Sequence, residues 1–373
     1  MRKVKLVDWF GRNVHCLLGL PLDMVDITDA AHQVQSAAVH RTPCFVTTPN
    51  LNFLIACRAD TQFRNSVINS DLSLIDGMPL VWMARLLGIP VRGRVAGSDM
   101  FEQLRTGLPN RISVYFFGGI DGVAEKACRR LNEEKLGIEC VGFESPGFSS
   151  VQEMSSEESI EKINASGADF LVVSLGARKG QAWIENNRTR ISVPVISHLG
   201  AVVNFVAGKV DRAPVMIRRS GFEWLWRVKE EPGLWLRYTS DGSKLVGLLL
   251  TRVFPYAWFM FWHKPKAQEV NSAAIEIFDD GGRILIKLHG AWVQGNLMPL
   301  RKSFSSIETL GKDVRVELKH VTYVDSAFIG LLLLLYGDRK RHEKEMSVCS
   351  LNEKVRQIFR YMCVEYLIDI HCN

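Results

Sequence analysis

Several common signatures of enzyme chemistry are absent from the 373-residue sequence. No Asp-x-Asp pair occurs, so a substrate diphosphate held by a divalent cation would lack its usual carboxylate ligands. There is no Walker phosphate loop, no Gly-x-Ser-x-Gly nucleophile elbow and no pair of histidines at metal-ligand spacing. These absences disfavour an ATPase, a serine hydrolase and a zinc enzyme, and we expect neither a metal nor another cofactor.

The Cys-x-x-Cys motif and a strong net charge are also absent from the sequence. The eight cysteines form no Cys-x-x-Cys pair, which fits core thiols in a reducing cytoplasm. The basic start, residues 1–5, is not followed by the apolar run of a secretory signal. The net charge of +6 suits anionic ligands or an acidic membrane surface, and no nucleic-acid partner is expected. A chain of this length, 47% hydrophobic, predicts more than one folded domain.

Apolar runs alternate with amphipathic segments over residues 14–208, which is typical of a mostly parallel sheet with helices on both faces. A first strand and turn are predicted at residues 14–25, followed by a helix capped by Thr28 or Asp29. Residues 170–175 are continuously apolar and predict a strand buried on both faces. Polar residues follow several predicted strands, and open α/β sheets bind ligands at that edge.

Asp76 is a candidate general base. It follows an apolar run and precedes a glycine, a position from which a carboxylate can take a proton from an acceptor hydroxyl. The alternative is that Asp76 only caps the helix predicted to begin at Gly77.

Three sequence blocks stand out: Thr48-Pro49-Asn50, residues 76–82 and residues 94–99. Together they resemble the signature of the WecG/TagA/CpsF family of bacterial glycosyltransferases. The resemblance implies inverting transfer of a sugar from a UDP-sugar to a lipid-diphosphate-linked acceptor, in bacterial exopolysaccharide or cell-surface glycan synthesis. It implies that Asp76 is the base, that Thr48 and Asn50 line the pocket and that Arg94 is an active-site cation. It also implies a peripheral protein at the cytoplasmic face of the bacterial inner membrane.

Two glycine-rich turns are candidates for donor binding. Gly118 and Gly119 end the strand predicted at residues 112–117, and Gly176 follows the apolar run described above. Backbone N–H groups in such turns can hold a nucleotide diphosphate, although glycines also allow strands and helices to pack closely. Gln181 matches a glutamine of the family and is a further substrate-binding candidate, whereas Ala182 stands where the family commonly has glutamate.

Residues 209–266 resemble the family's C-terminal appendage, which is rich in Trp and Arg and touches the membrane. Within it, residues 245–262 are apolar and carry interfacial aromatics, which favours an in-plane or re-entrant anchor over a membrane span; a buried linker helix is a third interpretation. The resemblance makes three arginines candidates to reach a diphosphate, and the alternative is that their stems pack on aromatic rings. These are Arg212, Arg227 and Arg237.

Residues 272–373 predict a second, smaller α/β domain that contains a hairpin around residues 279–282. The pair Asp325 and Ser326 before an apolar helix resembles the STAS domain of anti-sigma-factor antagonists. Ser326 matches the serine that such proteins phosphorylate, but Ala327 and Phe328 replace the usual small residues. The alternative is that Asp325 and Ser326 only cap the helix.

We therefore predict an α/β protein with three parts. Residues 1–208 form a Rossmann-like transferase domain, residues 209–266 a membrane-contacting appendage, and residues 272–373 a STAS-like domain that folds alone and binds a protein partner. The alternative function is a non-catalytic scaffold that recruits partners to a polysaccharide assembly complex through the STAS-like domain.

Overall fold

The computed structural model describes residues 8–369 except 148, 211–212, 215, 218–222, 231–232 and 234; the side chains of residues 227 and 230 also lie outside the described part. Two larger sheets organise the chain, one of six strands and one of four. The α/β fold expected from the sequence is confirmed.

The larger sheet is entirely parallel. Its strands are β3 (Cys44–Thr47), β4 (Leu72–Ser73), β5 (Ile112–Gly118), β6 (Ile138–Glu144), β7 (Phe170–Ser174) and β8 (Val195–His198). They lie in the order β4-β3-β8-β7-β5-β6. The inner strands β3 and β8 are buried along their whole length, because helices cover both faces of a parallel sheet.

Nine α-helices follow or precede these strands in the described part of residues 8–210. They are α1 (Ile27–Val39), α2 (Leu51–Ala59), α3 (Thr61–Ile68), α4 (Met78–Leu86), α5 (Gly97–Thr106), α6 (Val123–Glu134), α7 (Glu157–Ala165), α8 (Ala177–Asn187) and α9 (Val202–Val206). The predicted cap of α1 was wrong. Asp26, whose backbone is extended, accepts a hydrogen bond from the N–H of Asp29 and is the N-cap.

The first two strands do not join the parallel sheet. β1 (Val14–Leu17) and β2 (Leu20–Asp23) pair with each other in antiparallel fashion. Only Leu18 and Gly19 separate them, both with positive φ, and a connection of two residues closes a hairpin and cannot cross over to a parallel neighbour. The segment predicted as a first strand and turn is therefore this N-terminal hairpin.

The smaller sheet belongs to the C-terminal tail. It is built from β9 (Ala274–Asp279), β10 (Arg283–Trp292), β11 (Asp313–Val324) and β12 (Met346–Cys349), with α13 (Ala267–Asn271), α14 (Met298–Glu308), α15 (Ser326–Arg341) and α16 (Glu353–Tyr361). Its order is β12-β11-β10-β9, and β9 and β10 form the hairpin that the sequence predicts around residues 279–282.

Helix α15 is buried on nearly all sides, in keeping with its uniformly apolar sequence. One side faces the smaller sheet and the other faces the N-terminal hairpin. A Cβ on Gly330 would lie 2.9 Å from the carbonyl oxygen of Val14. The indole N–H of Trp9 donates to the carbonyl of Leu334 at 2.9 Å. The tail and the N-terminal hairpin thus share one apolar core. That residues 272–373 fold alone stays a prediction.

The appendage contains α10 (Glu223–Glu230) and a long helix formed by α11 (Trp235–Leu248), a π-helical turn (Leu249–Val253) and α12 (Phe254–Trp262). Among the described residues this helix, 28 residues from Trp235 to Trp262, is long and apolar enough to cross a membrane by length and composition alone. One face is nevertheless buried, since Tyr256 and Phe259 pack against Tyr361 of α16.

The cysteines differ from expectation in one respect. Cys128 of α6 and Cys140 of β6 form a disulfide, with their Cα atoms 5.0 Å apart. The helix packs on the strand and brings the two residues together, which their spacing of twelve residues does not reveal. The expectation of core thiols holds for four free, buried cysteines: Cys16, Cys44, Cys57 and Cys349.

Candidate active site

The three sequence blocks converge at the carboxyl edge of the parallel sheet. The N–H of Asp76 donates to the carbonyl of Pro49 at 2.8 Å, which fixes the second block against the first. The N–H of Val95 donates to the carbonyl of Ile75 at 2.8 Å and brings in the third. A Cβ on Gly97 would lie 3.1 Å from the methyl carbon of Thr48. The three blocks thus meet at one site on this edge.

Asp76 is not the cap of the helix that follows it. The N-cap of α4 is Gly77, whose φ of +111° strongly favours glycine. The N-cap position that the sequence alternative gave to Asp76 is therefore taken by Gly77. Asp76 instead acts electrostatically on Arg94.

Arg94 is held by carboxylates on both sides. Its Nη2 lies 2.9 Å from Oδ2 of Asp99, and its Nη1 pairs with Glu223 at the start of α10. Burial lowers the pKa of Arg94, but the nearby charges of Asp76, Glu223 and Asp99 outweigh burial and raise it. The guanidinium therefore stays charged and ties the appendage to the sheet edge. Sequence reasoning missed the role of Glu223, because nothing local marks a partner 129 residues away.

Asn50 and Thr48 occupy the end of β3. The Oδ1 of Asn50 accepts from the N–H of Phe53 at 3.1 Å and caps α2. Its amide nitrogen has no hydrogen-bond partner among the described residues, so it can donate to a ligand. Thr48 is only 7% exposed and packs its methyl group against the third block. Two residues further on, Asn52 of α2 donates to Asp241 of the long helix at 3.3 Å.

The glycine turns lie where the chain leaves β5 and β7 in opposite directions, toward β6 and β8. Such a switch point opens a crevice in α/β sheets. Gly118 serves close packing, since a Cβ there would lie 2.7 Å from the carbonyl oxygen of Ser174. Gly119 and Gly176 have open space where a Cβ would stand. Gly176 is also the N-cap of α8, so N–H groups of the first helical turn face this crevice.

Gln181 is buried away from solvent and is not presented to a ligand. Its side chain is 1% exposed, and its Oε1 accepts from the hydroxyl of Ser66 at 2.7 Å, between α8 and α3. Its neighbour Gly180 instead contacts His198, the last residue of β8, which sequence reasoning missed. The only local signal was a histidine that ends an apolar strand just before Leu199 and Gly200.

Of the three candidate arginines of the appendage, the structure describes the side chain of one. Arg212 lies outside the described residues, and Arg227 lies in α10 with its side chain outside them. Arg237 is exposed on α11, with its guanidinium carbon 5.2 Å from the ring centre of Tyr238. Among the described residues no group of three or more His, Cys, Asp or Glu side chains is arranged to hold a metal.

Ser326 is the first residue of α15. Its hydroxyl is 2.9 Å from Nδ1 of His15 in the N-terminal hairpin. Asp325 is the N-cap and accepts from the N–H of Phe328 at 2.9 Å, so the capping alternative is right for Asp325. Ser326 faces the same chain and is only partly exposed.

A parallel sheet whose carboxyl edge gathers a carboxylate, a capping amide and open glycine turns is typical of an enzyme that transfers a group from a nucleotide-linked donor. The family model described as glycosyl transferase WecG/TagA/CpsF family matches residues 15–257. The chain belongs to this family and is a glycosyltransferase. A second family model, Mlab, STAS domain, matches residues 279–369 and confirms the STAS-like tail.

Two bacterial proteins are similar to the transferase part. Both are N-acetylglucosaminyldiphosphoundecaprenol N-acetyl-β-D-mannosaminyltransferases. That of Bacillus spizizenii strain W23 is 26% identical over 236 residues, covering 61% of this chain and 90% of its own length. That of Bacillus subtilis strain 168 is 26% identical over 197 residues, covering 52% and 75%. A solved structure of the Bacillus cell fate determinant SpoIIAA in its phosphorylated form is 14% identical, with a TM-score of 0.23, covering 26% of this chain and 89% of its own.

Proposed function

We propose that this protein is an inverting glycosyltransferase that moves a hexose from a UDP-sugar to a lipid-diphosphate-linked sugar acceptor in the synthesis of a bacterial surface polysaccharide. The observation that carries the proposal is the convergence of Asp76 with Asn50 and Arg94 at the carboxyl edge of the sheet. The two similar Bacillus proteins are named for transfer to a diphosphoundecaprenol-linked sugar, which supports the acceptor class.

In the proposed reaction Asp76 is the general base. The acceptor hydroxyl attacks C1 of the donor sugar while Asp76 takes its proton, and the bond from C1 to the UDP oxygen breaks. The electron pair of that bond leaves with UDP, so negative charge accumulates on the diphosphate. The N–H groups of the first turn of α8 and of the Gly119 turn, together with arginines of the appendage, would stabilise that charge.

The carboxylates of the site favour a single displacement at C1 of the donor sugar over a double displacement. A double displacement would need a second carboxylate as nucleophile on the donor sugar. The neighbouring carboxylates Asp99 and Glu223 are ion-paired with Arg94, so neither is placed to act as that nucleophile. Inversion at C1 follows from one displacement. We also propose that the reaction needs no metal, with arginines and backbone N–H groups in its place.

The lipid-linked acceptor implies a membrane surface, and the long helix of the appendage suits one. Its outer face carries Trp258, which is 68% exposed, among other exposed apolar side chains, while its inner face packs on the tail and on α2. A helix held along one side by the folded protein favours lying in the membrane surface over crossing it. We propose peripheral attachment at the cytoplasmic face. The exposed stripe is Leu250, Phe254, Trp258, Phe261 and Trp262.

We further propose that a protein partner of the STAS-like tail binds the open edge strand β9. Helix α15 is covered by the N-terminal hairpin of the same chain, so it is not presented to another protein. β9 is bonded on one side only, and its Ile277 and Phe278 are exposed. An unpaired strand edge is a common place for another chain to add a strand.

The experiment is a donor-consumption assay with purified protein, a panel of UDP-sugars and a lipid-diphosphate-linked N-acetylglucosamine acceptor. Consumption of one UDP-sugar that depends on the acceptor supports the proposal, and it should persist in chelator. Asp76→Asn should lose about 10²–10⁴-fold in rate. Glu161→Gln, an exposed carboxylate on α7, is the control and should be unaffected. Absence of donor consumption by the wild type would favour the scaffold alternative, and strict dependence on magnesium or manganese would overturn the metal-free mechanism.

A further inference from the structure

His198 is a buried histidine with an unsatisfied ring nitrogen at the edge of the active site. It is the last residue of β8 and is only 9% exposed. Its Nε2 is buried and has no hydrogen-bond partner among the described residues. Buried polar atoms are normally paired, so an orphaned ring nitrogen at a ligand-binding edge needs a reason.

The imidazole ring of His198 packs against Gly180, a glycine within helix α8. Gly180 lies inside α8, where glycine is less stable than alanine by about 1 kcal/mol. A Cβ at this position would lie 2.2 Å from Cδ2 of His198, so alanine would collide with the ring. On the other side, a Cβ on Gly200 would lie 3.3 Å from Nε2. The imidazole is thus held with its Nε2 between two glycines.

The position of the ring links the two halves of the site. β8 lies between β3, which leads to Thr48 and Asn50, and β7, which leads to Gly176 and α8. The ring centres of Phe53 and His198 are 6.5 Å apart. The backbone N–H of Phe53 donates to the side-chain oxygen of Asn50. The imidazole therefore stands between the base side of the pocket and the N-terminus of α8.

We propose that His198 is a substrate-contacting residue whose Nε2–H donates a hydrogen bond to a diphosphate oxygen of the glycosyl donor. This inference rests on the proposed function and assigns a further residue to the same site. No proton is transferred: the neutral ring donates while the bond from C1 to the diphosphate breaks. The contact strengthens as negative charge builds on the leaving oxygen, alongside the N–H groups of the first turn of α8.

The protonation state of the ring suits a hydrogen-bond donor that remains uncharged. Burial lowers the pKa of His198 to about 4, so the ring is uncharged at neutral pH. A neutral imidazole carries one N–H, and an anionic oxygen facing Nε2 selects the tautomer with the proton there.

The test compares His198→Phe with His198→Gln. Phenylalanine keeps a ring of similar shape and removes Nε2, whereas glutamine places an N–H near the position of Nε2. We expect His198→Phe to lower kcat/KM for the UDP-sugar about 10- to 100-fold, the range for a lost hydrogen bond to a charged group, with most of the loss in kcat. His198→Gln should recover most of that loss.

A purely structural role predicts the opposite result. Replacing an unpartnered buried nitrogen by carbon would leave stability equal or higher and activity unchanged. The double variant Gly180→Ala with His198→Ala separates a substrate contact from a structural role. Once the ring of His198 is removed, an alanine at position 180 no longer collides with it. We expect the double variant to be folded yet to retain the loss in kcat/KM.

A readout independent of turnover is the ¹H–¹⁵N signal of the His198 ring, assigned by its absence in His198→Gln. Addition of UDP should shift this signal and fix the proton on Nε2. An active wild type with an unshifted ring signal and a His198→Phe variant within twofold of its kcat/KM would overturn the inference and leave the proposed function standing. A wild type that neither binds UDP nor consumes a UDP-sugar would overturn both.

Discussion

Arg341, at the end of helix α15, lies 2.9 Å from Asp71, measured between Nη2 and Oδ1. The other oxygen of Asp71 accepts from the N–H of Phe45 at 2.8 Å, at the start of the strand that leads to Thr48. The STAS-like tail is therefore bonded to the strand that carries part of the active site, through a single carboxylate.

We expect Arg341→Met to reduce the free energy of unfolding by about 1–3 kcal/mol, because it removes a charged, partly buried hydrogen bond. It should also reduce sugar transfer, since the start of β3 loses support. Urea unfolding and the donor-consumption assay measure the two effects. Arg315→Met is the matched control: its pair with Asp369 is 26% and 21% exposed, against 26% and 18% for Arg341 and Asp71, but lies within the tail. Equal activity losses in both variants would contradict the idea.

The pair between Arg94 and Glu223 provides a second prediction. Glu223→Gln removes the charge that holds α10 of the appendage against the sheet edge. A loss of about tenfold in kcat/KM is expected, as for a weakened charge-assisted hydrogen bond. Glu157→Gln, which breaks an exposed ion pair with Arg190, is the control and should not alter transfer. Full activity of Glu223→Gln would show that this contact between the appendage and the sheet edge is not required for transfer.

The third prediction concerns membrane attachment. Phe254→Glu combined with Trp258→Glu places two charges on the exposed stripe and should reduce sedimentation with anionic lipid vesicles by at least about tenfold. Phe143→Glu, an exposed phenylalanine on the edge strand β6, serves as the control for added charge. If the double variant sediments like the wild type, the anchor lies elsewhere in the chain.

Acid should destabilise the protein through two buried histidines. Burial lowers the pKa of His198 to about 4, and burial together with the charge of Arg301 does the same for His15. An unfolded histidine titrates near 6.5, so between pH 6.5 and 4 the unfolded chain binds more protons and stability falls as the pH falls. Each group contributes on the order of 3 kcal/mol across that window.

Thermal unfolding from pH 7.5 to 4.5 measures this dependence. His198→Phe should flatten the profile, and His32→Gln, at an exposed position, should leave it unchanged. A profile for His198→Phe as steep as that of the wild type would mean that His198 titrates at its ordinary pKa.

Much of the fold is written in local patterns. Continuous apolar runs such as residues 170–175 predict buried parallel strands, because two covered faces demand apolar side chains at every position. The turn around residues 279–282 predicts its hairpin, and Asp325 predicts a helix cap, because turn and cap chemistry act over a few residues. The blocks at Thr48 and Asp76 also mark strand ends from sequence alone, whereas the block at Arg94 begins in the loop before α5.

The tertiary structure decided what depends on surfaces meeting over long distances. The N-terminal hairpin does not join the parallel sheet, and Arg94 is ion-paired with Glu223. Gln181 is hydrogen-bonded to Ser66, and the ring of His198 packs against Gly180. Periodicity reports which side of an element is buried, but not which element buries it. For the same reason the sequence marks α15 as buried all round, and only the folded chain shows that the N-terminal hairpin covers its second side.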